Sequence, residues 1–155
     1  MKKYLLSILL VFSAMLLKAQ DTSAYVLLKK YYVIKEALVA GDDKLAASAA
    51  TEFAANMTRL SAKQVDAETS QKLVAEAKAI SDNKELEKQR DAFSPFSEDM
   101  FQLAKKISLS KSAVYRQYCP MKKMYWLSGE TTIRNPYYGS MMRSCGKVVE
   151  TINPK

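Results

Sequence analysis

Residues 22–40 read TSAYVLLKKYYVIKEALVA, and this stretch decides the fold of the first part of the chain. Its apolar side chains recur every three or four residues and form one face of a helix: Ala24, Leu27, Tyr31, Ile34 and Leu38. The next residue, Gly41, suits a helix C-cap, and Asp42 or Asp43 can cap the helix that follows. The spacing therefore predicts a helix over about 22–40 and a second one directly after it.

Three more segments repeat this apolar spacing, and they predict helices over about 43–63, 67–81 and 84–107. Alanine, lysine and glutamate are abundant there, and all three are good helix formers. Four amphipathic helices with short connections pack most simply as an antiparallel bundle. Their apolar stripes are interpreted as core rather than as a cofactor site.

Pro95 is the one proline between residues 22 and 107. Because proline lacks an N–H and clashes with the preceding helical turn, it should kink the fourth helix or split it. The split alternative places helices over 83–93 and 96–107, with Ser94 as N-cap and Pro95 at the first helical position.

The helical periodicity is lost after Ile107. Ser108, Ser110 and Ser112 form a linker, and residues 113–118 (AVYRQY) alternate enough for a short strand. The fold class is predicted to be mainly α, a four-helix antiparallel bundle (22–107) that carries an irregular, loop-rich C-terminal Cys/Met subregion (113–155). Trp126, the only tryptophan, is expected to anchor that tail on the bundle.

The first 19 residues have the three parts of a signal peptide. Lys2 and Lys3 are followed by a mostly apolar run over 4–17, and Ala19 is a small residue at the cleavage point. The rival interpretation, a membrane anchor, is disfavoured because a membrane span needs roughly 20 apolar residues and the run over 4–17 is shorter. There is no cysteine near the cleavage point, which excludes a lipid-anchored lipoprotein. We expect cleavage after Ala19, a periplasmic location, one domain over 20–155 and no stable membrane insertion of the mature chain.

Basic charge is concentrated at the C-terminal end. Residues 105–155 carry ten bases and two acids, whereas residues 20–104 carry eleven bases and fourteen acids. Such a tail could attract anionic lipid, acidic protein or nucleic acid. Export argues against nucleic acid, and a solvated basic surface is the simplest interpretation.

The chain contains no histidine, which excludes histidine-based catalytic triads, zinc sites and imidazole-bound copper(II). Its two cysteines, Cys119 and Cys145, are not a C-x-x-C pair, so a thiol oxidoreductase is disfavoured. Pairing of a thiolate with Lys122 or Lys123 is the remaining catalytic option, and it is the weakest hypothesis. No catalytic residue is predicted, and the chain is predicted not to be an enzyme.

The tail is the one segment with metal-binding chemistry. Thiolates and thioethers select copper(I) or silver(I) over calcium and magnesium. Cys119 and Met121 would share one face of a strand, and Met142 and Cys145 would share one face of a helical turn. Met141 is an equally good candidate. The candidate soft-metal ligands are therefore Cys119, Met121, Met141, Met142 and Cys145.

A plain Cys119–Cys145 disulfide is the main alternative, because two cysteines in an oxidising compartment first suggest a bridge. It would close a loop of roughly 27 residues and contribute about 3–4 kcal/mol. The protein would then be a disulfide-stapled interaction module without metal. A site that binds metal when reduced and forms the bridge when oxidised would combine both interpretations.

The motifs of the chain resemble a known family. A helix of the form YY-x-x-K-x-A-L-x-x-G-D is matched by Tyr31 to Asp42, and a tail of the form CPM…WLS…NPYYG…M…CG is matched by Cys119 to Gly146. Both are typical of an exported bacterial domain catalogued as domain of unknown function 3347. The resemblance covers essentially the mature chain.

That resemblance implies a role in handling copper or silver, because the family also occurs fused to periplasmic adaptors of heavy-metal efflux pumps. Copper(I) or silver(I) is the implied ligand, and periplasmic efflux components are the implied partners. Two residues of the front motif have simpler interpretations: Lys35 is expected to be solvated, and Asp42 is expected to cap a helix.

Overall fold

The computed structural model describes residues 24–60 and 62–154. They form helices followed by a small antiparallel sheet, which confirms the mainly α fold class. The predicted signal peptide, residues 1–19, lies outside the described residues. None of the described helices has both the length and the apolar character needed to cross a membrane.

The helices lie close to where the sequence predicts them. Their bounds are α1 over 24–40, α2 over Asp43–Met57, α3 over Ala67–Asp82 and α4 over Leu86–Lys106. Asp42 caps α2, as predicted, because its side chain accepts a 2.9 Å hydrogen bond from the backbone N–H of Leu45. Asp66 caps α3 in the same way, because its side chain accepts a 2.8 Å hydrogen bond from the backbone N–H of Thr69.

Helix α2 ends at Met57, about two turns earlier than predicted. The Asn56 amide donates to the carbonyl of Glu52 at 2.7 Å, and the Thr58 hydroxyl donates to the carbonyl three residues before it at 2.9 Å. Short polar side chains that bond the backbone locally compete with continued helix. The helix therefore ends at Met57, although apolar residues continue at helical spacing beyond it.

Helix α4 continues through Pro95, so the single helix predicted over about 84–107 is present and the split alternative is wrong. Phe93 and Phe96, on either side of the proline, are fully buried. Phe96 meets the ring of Phe53 edge-on, with centroids 4.8 Å apart. Burial of these two aromatic side chains outweighs the single backbone hydrogen bond that the proline removes.

The tail forms a three-stranded antiparallel sheet in the order β2-β1-β3. Its elements are β1 (Val114–Cys119), β2 (Met124–Ser128), a 3₁₀ helix (Gly139–Met142) and β3 (Lys147–Ile152). The strand predicted over 113–118 is confirmed as β1. The loop-rich tail was expected to hold at most short strands, and the strands described there have five or six residues each. Strand β1 pairs with β2 on one side and with the distant β3 on the other. Strand β2 packs against α4.

Candidate functional site

Sheet pairing brings the two cysteines together. Tyr118, next to Cys119, pairs with Lys147, two residues after Cys145. The two Sγ atoms lie 3.8 Å apart, and both side chains are free thiols. Cys119 is fully buried, whereas Cys145 is half-buried. The approach of the cysteines that the sequence suggested is therefore present, with one thiol in the core and the other near solvent.

A network around Asn135 holds the Cys145 loop in place. The Asn135 side-chain amide donates to the carbonyl of Cys145 at 2.8 Å, and its backbone N–H donates to the carbonyl of Arg143 at 2.8 Å. Its side-chain oxygen accepts from the Tyr137 N–H, also at 2.8 Å. Because Asn135 is fully buried, these bonds satisfy it and fix the loop.

Gly146 permits the close packing directly beside Cys145. A Cβ at this position would lie 2.9 Å from the Trp126 ring and 3.0 Å from the carbonyl oxygen of Tyr118. Real Cβ atoms do not come so close to a backbone carbonyl and a buried ring without forcing them to move. The Cys-Gly pair of the tail motif is thus explained by contact with β1 and β2.

Two of the three candidate methionines are more exposed than the thiols. Met121 lies in the turn between β1 and β2, and its side chain is 63% exposed. Met141 and Met142 lie in the 3₁₀ helix, and Met141 is 84% exposed. A backbone hydrogen bond connects one of them to Cys145, whose N–H donates to the Met142 carbonyl at 3.1 Å. Convergence of the thioether sulfurs on the cysteines remains a prediction.

Burial raises the pKa of the Cys145 thiol, and the hydrogen bond and charge of Cys119 raise it further. The backbone of Met121 acts in the opposite direction, because it stabilises the thiolate. Lys122, considered above as a partner for a thiolate, lies over the ring of Tyr138 at 5.3 Å. The raised pKa favours the neutral form of the Cys145 thiol over an activated thiolate.

Trp126 anchors the tail, as predicted. It is fully buried in the common core, and Tyr137 meets its ring edge-on with centroids 6.0 Å apart. Tyr137 also contacts Phe93 of α4, at 6.0 Å, and donates a 2.6 Å hydrogen bond to the carbonyl of Tyr125. The contacts of Tyr137 are thus packing contacts and one hydrogen bond, which fix the tail on α4.

Arg90 is a buried residue that the sequence interpretation missed. Its guanidinium donates to the carbonyls of Pro136 at 2.9 Å and Leu38 at 3.0 Å, and it also pairs with Glu87. It therefore joins α4 to the end of α1 and to the tail loop. A Cβ at Gly139 would lie 2.6 Å from the guanidinium, so the glycine leaves room for it. One feature of the sequence could have indicated that Arg90 is buried: it lies three residues before Phe93, on the apolar face of α4.

Two tyrosines and a lysine of the front motif also face inward. The Tyr31 hydroxyl hydrogen-bonds with Ser97 at 2.6 Å and accepts from the Leu127 N–H at 2.8 Å, which joins α1, α4 and β2. Lys35, expected to be solvated, is instead buried; it pairs with Glu36 at 2.6 Å and lies over the Tyr32 ring. The expectation was wrong because the stem of Lys35 packs on the core side of the helix.

Over residues 24–60 and 62–154, no three histidine, cysteine, aspartate or glutamate side chains lie close enough to hold a metal together. Since the chain has no histidine, the two thiols and the thioethers are the soft ligands that the tail offers a metal.

Comparison with protein families gives one match. The family described as "Protein of unknown function (DUF3347)" matches residues 27–112, which includes the front motif and ends just before β1. Comparison with curated proteins and with solved structures finds no match.

Proposed function

The chain belongs to the DUF3347 family, a family of unknown function, and from this premise we propose that it is an exported, periplasmic protein that binds copper(I) or silver(I) through its tail. The proposed ligands are Cys119 and Cys145, completed by Met121, Met141 or Met142. Association with heavy-metal efflux components is part of the same proposal. So is the antiparallel bundle arrangement of the four helices that support the tail.

The observation that carries this proposal is the 3.8 Å separation of the two cysteine sulfurs. A metal ion about 2.3 Å from each of two thiolates, as zinc is in thiolate sites, requires sulfurs less than about 4.6 Å apart. The two thiols meet this requirement without movement of β1 or β3. The Asn135 hydrogen bonds and the packing at Gly146 hold Cys145 in that position, and rigid support of this kind favours metal binding.

The third ligand would be a thioether. Met121 is the first candidate, because it lies two residues after Cys119, in the turn that follows β1, and its exposed side chain can turn toward the pair. Met142 is the second, because its carbonyl accepts from the Cys145 N–H. Soft sulfur ligands without imidazole or carboxylate favour copper(I) and silver(I) over harder ions.

The same separation supports a second candidate, a disulfide-stapled interaction module. Closing the bridge requires the sulfurs to approach from 3.8 Å to about 2.05 Å, which is a small movement of one loop. The two thiols would lose two protons and two electrons to an oxidant of the exported compartment. Metal binding and the bridge exclude each other at any one moment.

Anaerobic titration of the reduced protein with copper(I) against a chromogenic chelator tests the metal site. We expect one equivalent to bind, Cys119→Ser with Cys145→Ser to abolish binding, and Met121→Leu to weaken it about tenfold or more. Met57→Leu, in the buried helical core, is the matched control and should bind as the wild type does.

Undiminished binding by the double cysteine variant would refute the site. Native mass spectrometry of protein recovered from the periplasm separates the two candidates. A chain that begins at Gln20 and carries copper supports the metal site. A chain two hydrogens lighter without metal, together with no binding by the reduced form, supports the stapled module.

A further inference from the structure

The two thiols of the tail differ in their access to solvent. Cys119 is fully buried at the end of β1, whereas Cys145 is half-buried in the loop that precedes β3. Their sulfur atoms are nevertheless only 3.8 Å apart, and both thiols are free. A dissolved reagent therefore meets Cys145 first, and Cys119 is within contact distance of the sulfur that has reacted.

The segment that carries Cys145 is basic. Arg143 and Lys147 lie two residues before and two residues after the cysteine, and both are exposed. Lys123, in the turn that follows β1, is exposed as well. Residues 131–149 include no aspartate and no glutamate. Such a surface attracts an anionic reagent and repels a cationic one, which changes the rate of encounter.

We propose that Cys145 is a site of thiol–disulfide exchange with small anionic disulfides, and that Cys119 is the resolving thiol that completes the bridge. The inference deepens the second candidate function, the disulfide-stapled module, and rests on it. It adds the order in which the two thiols react and the class of molecule that oxidises them.

The exchange has two steps, and in each a thiolate attacks one sulfur of a disulfide and displaces the other. In the first step, the Cys145 thiol loses its proton, bonds to one sulfur of the reagent and releases the other half as a thiolate. In the second step, the Cys119 thiol loses its proton and attacks the Cys145 sulfur, which releases the remaining half. The protein has then lost two electrons and two protons, and the reagent has become two small thiols.

The packing of the tail favours this order over the reverse. Attack on the reagent by Cys119 would require the reagent to enter the common core, to which this side chain belongs. The second step needs only a small movement, because the two sulfurs close from 3.8 Å to about 2.05 Å. The Asn135 amide donates to the Cys145 carbonyl at 2.8 Å and keeps the loop beside β1 during that step.

Acid-quenched mass spectrometry of the reduced protein with oxidised glutathione, an anionic disulfide, tests the order of reaction. In the wild type, a mixed disulfide on Cys145 should form first and then convert to the bridge. Cys119→Ala should accumulate that adduct, whereas Cys145→Ala should react at least about tenfold more slowly. The early time points of the wild type identify the first thiol however well the variants fold. A first adduct on Cys119 would overturn the proposal.

Reagents of opposite charge test the selectivity. The rates with oxidised glutathione and with cystamine, a cationic disulfide, are each divided by the rate of the same reagent with 2-mercaptoethanol, which removes its intrinsic reactivity. At low salt the normalised rate should be about tenfold higher for oxidised glutathione, and high salt should reduce the difference. Arg143→Glu should narrow the difference by about threefold or more, and Lys84→Glu, the same charge change at an exposed position outside the tail, should not. Equal normalised rates would overturn the selectivity for anions.

A second oxidant distinguishes failure of this inference from failure of the stapled module. Diamide oxidises neighbouring thiols without adding a sulfur of its own. If diamide leaves the reduced wild type without a bridge, the module and this inference are both overturned. If diamide forms the bridge and oxidised glutathione does not, only this inference is overturned.

Discussion

The helical region (24–106) and the tail (107–154) are stabilised by different kinds of contact. In the helical region, apolar side chains fill the core, and Tyr31 stacks on Phe93 with centroids 5.3 Å apart. In the tail, buried polar side chains bind the backbone. Gln117, fully buried in β1, directs its amide at the carbonyls of Glu130, Thr131 and Thr132, the closest at 2.9 Å.

This difference follows from how each region satisfies its backbone. Helices pair their own N–H and C=O groups, so their side chains are free to pack. The loops between β2 and β3 have little regular backbone pairing of their own, and buried backbone groups without partners are costly. Gln117 and Asn135 supply these partners. A loop-rich segment can therefore be well ordered when a few buried amides replace regular secondary structure.

Removal of the tail's main apolar anchor should have the largest effect. Trp126→Ala leaves a cavity between β2 and α4, and we expect it to reduce the free energy of unfolding by about 3–5 kcal/mol. Chemical denaturation measures the loss. Trp126→Phe is the matched control; it keeps an aromatic ring opposite Tyr137 and removes an indole N–H without a partner, so it should cost less than half as much. A loss below about 1 kcal/mol for Trp126→Ala would show that the tail does not depend on this anchor.

Removal of the Arg90 hydrogen bonds should have a smaller and more local effect on stability. Arg90→Leu leaves the carbonyls of Pro136 and Leu38 without their charged donor, and we expect a loss of about 2–3 kcal/mol. Hydrogen exchange should speed up at the backbone amides of the tail loop, such as that of Tyr137, and change little in α2 and α3. Lys88→Leu, at an exposed position of the same helix, is the control. Equal acceleration of hydrogen exchange in the tail loop and in α2 and α3 would contradict the expectation that the effect is confined to the tail.

The smallest effect is expected within the helical region and depends on pH. Burial, followed by a hydrogen bond with Asp99, raises the pKa of Glu76 to about 8. The unfolded chain releases this proton near pH 4.3, so the folded state holds more protons between about pH 4.3 and 8. Stability contributed by this group is therefore present at low pH and is lost as the pH rises through that window.

Glu76→Gln keeps a neutral hydrogen-bonding side chain and removes the titration. At pH 8 it should stabilise the protein on the order of 1 kcal/mol, well below the full linkage value because the carboxyl is partly exposed and screened by water. At pH 4 the variant and the wild type should differ little. Glu68→Gln, exposed on the same helix, is the control and should leave the pH profile unchanged. Denaturation midpoints from pH 4 to 9 measure the effect, and destabilisation at pH 8 would contradict it.

The parts of the fold that were predicted correctly rest on short-range patterns. The apolar spacing of α1 and α3, the Asp42 cap and strand β1 all depend on residues a few positions apart. The errors lie where distant contacts compete with local preference. Pro95 stays within one helix because Phe93 and Phe96 are buried in the core, and Lys35 is buried although a lysine is usually solvated.

The candidate site shows the same limit. Soft sulfur chemistry and the identity of Cys119 and Cys145 are visible in the sequence, because they depend only on residue type. The buried Arg90, Gln117 and Asn135 were not recognised as functional supports, because polar residues of these types are mostly exposed and only their partners show otherwise.

The sequence by itself determined the four helices, the start of the tail and which cysteines and methionines are available as ligands, since periodicity, capping and ligand chemistry are local properties. Only the tertiary structure decided that β3 pairs with β1, that the two sulfurs lie 3.8 Å apart and that one thiol is buried while the other is near solvent. The physical reason is that strand pairing joins residues far apart along the chain, so it depends on tertiary contacts that the neighbouring sequence does not specify.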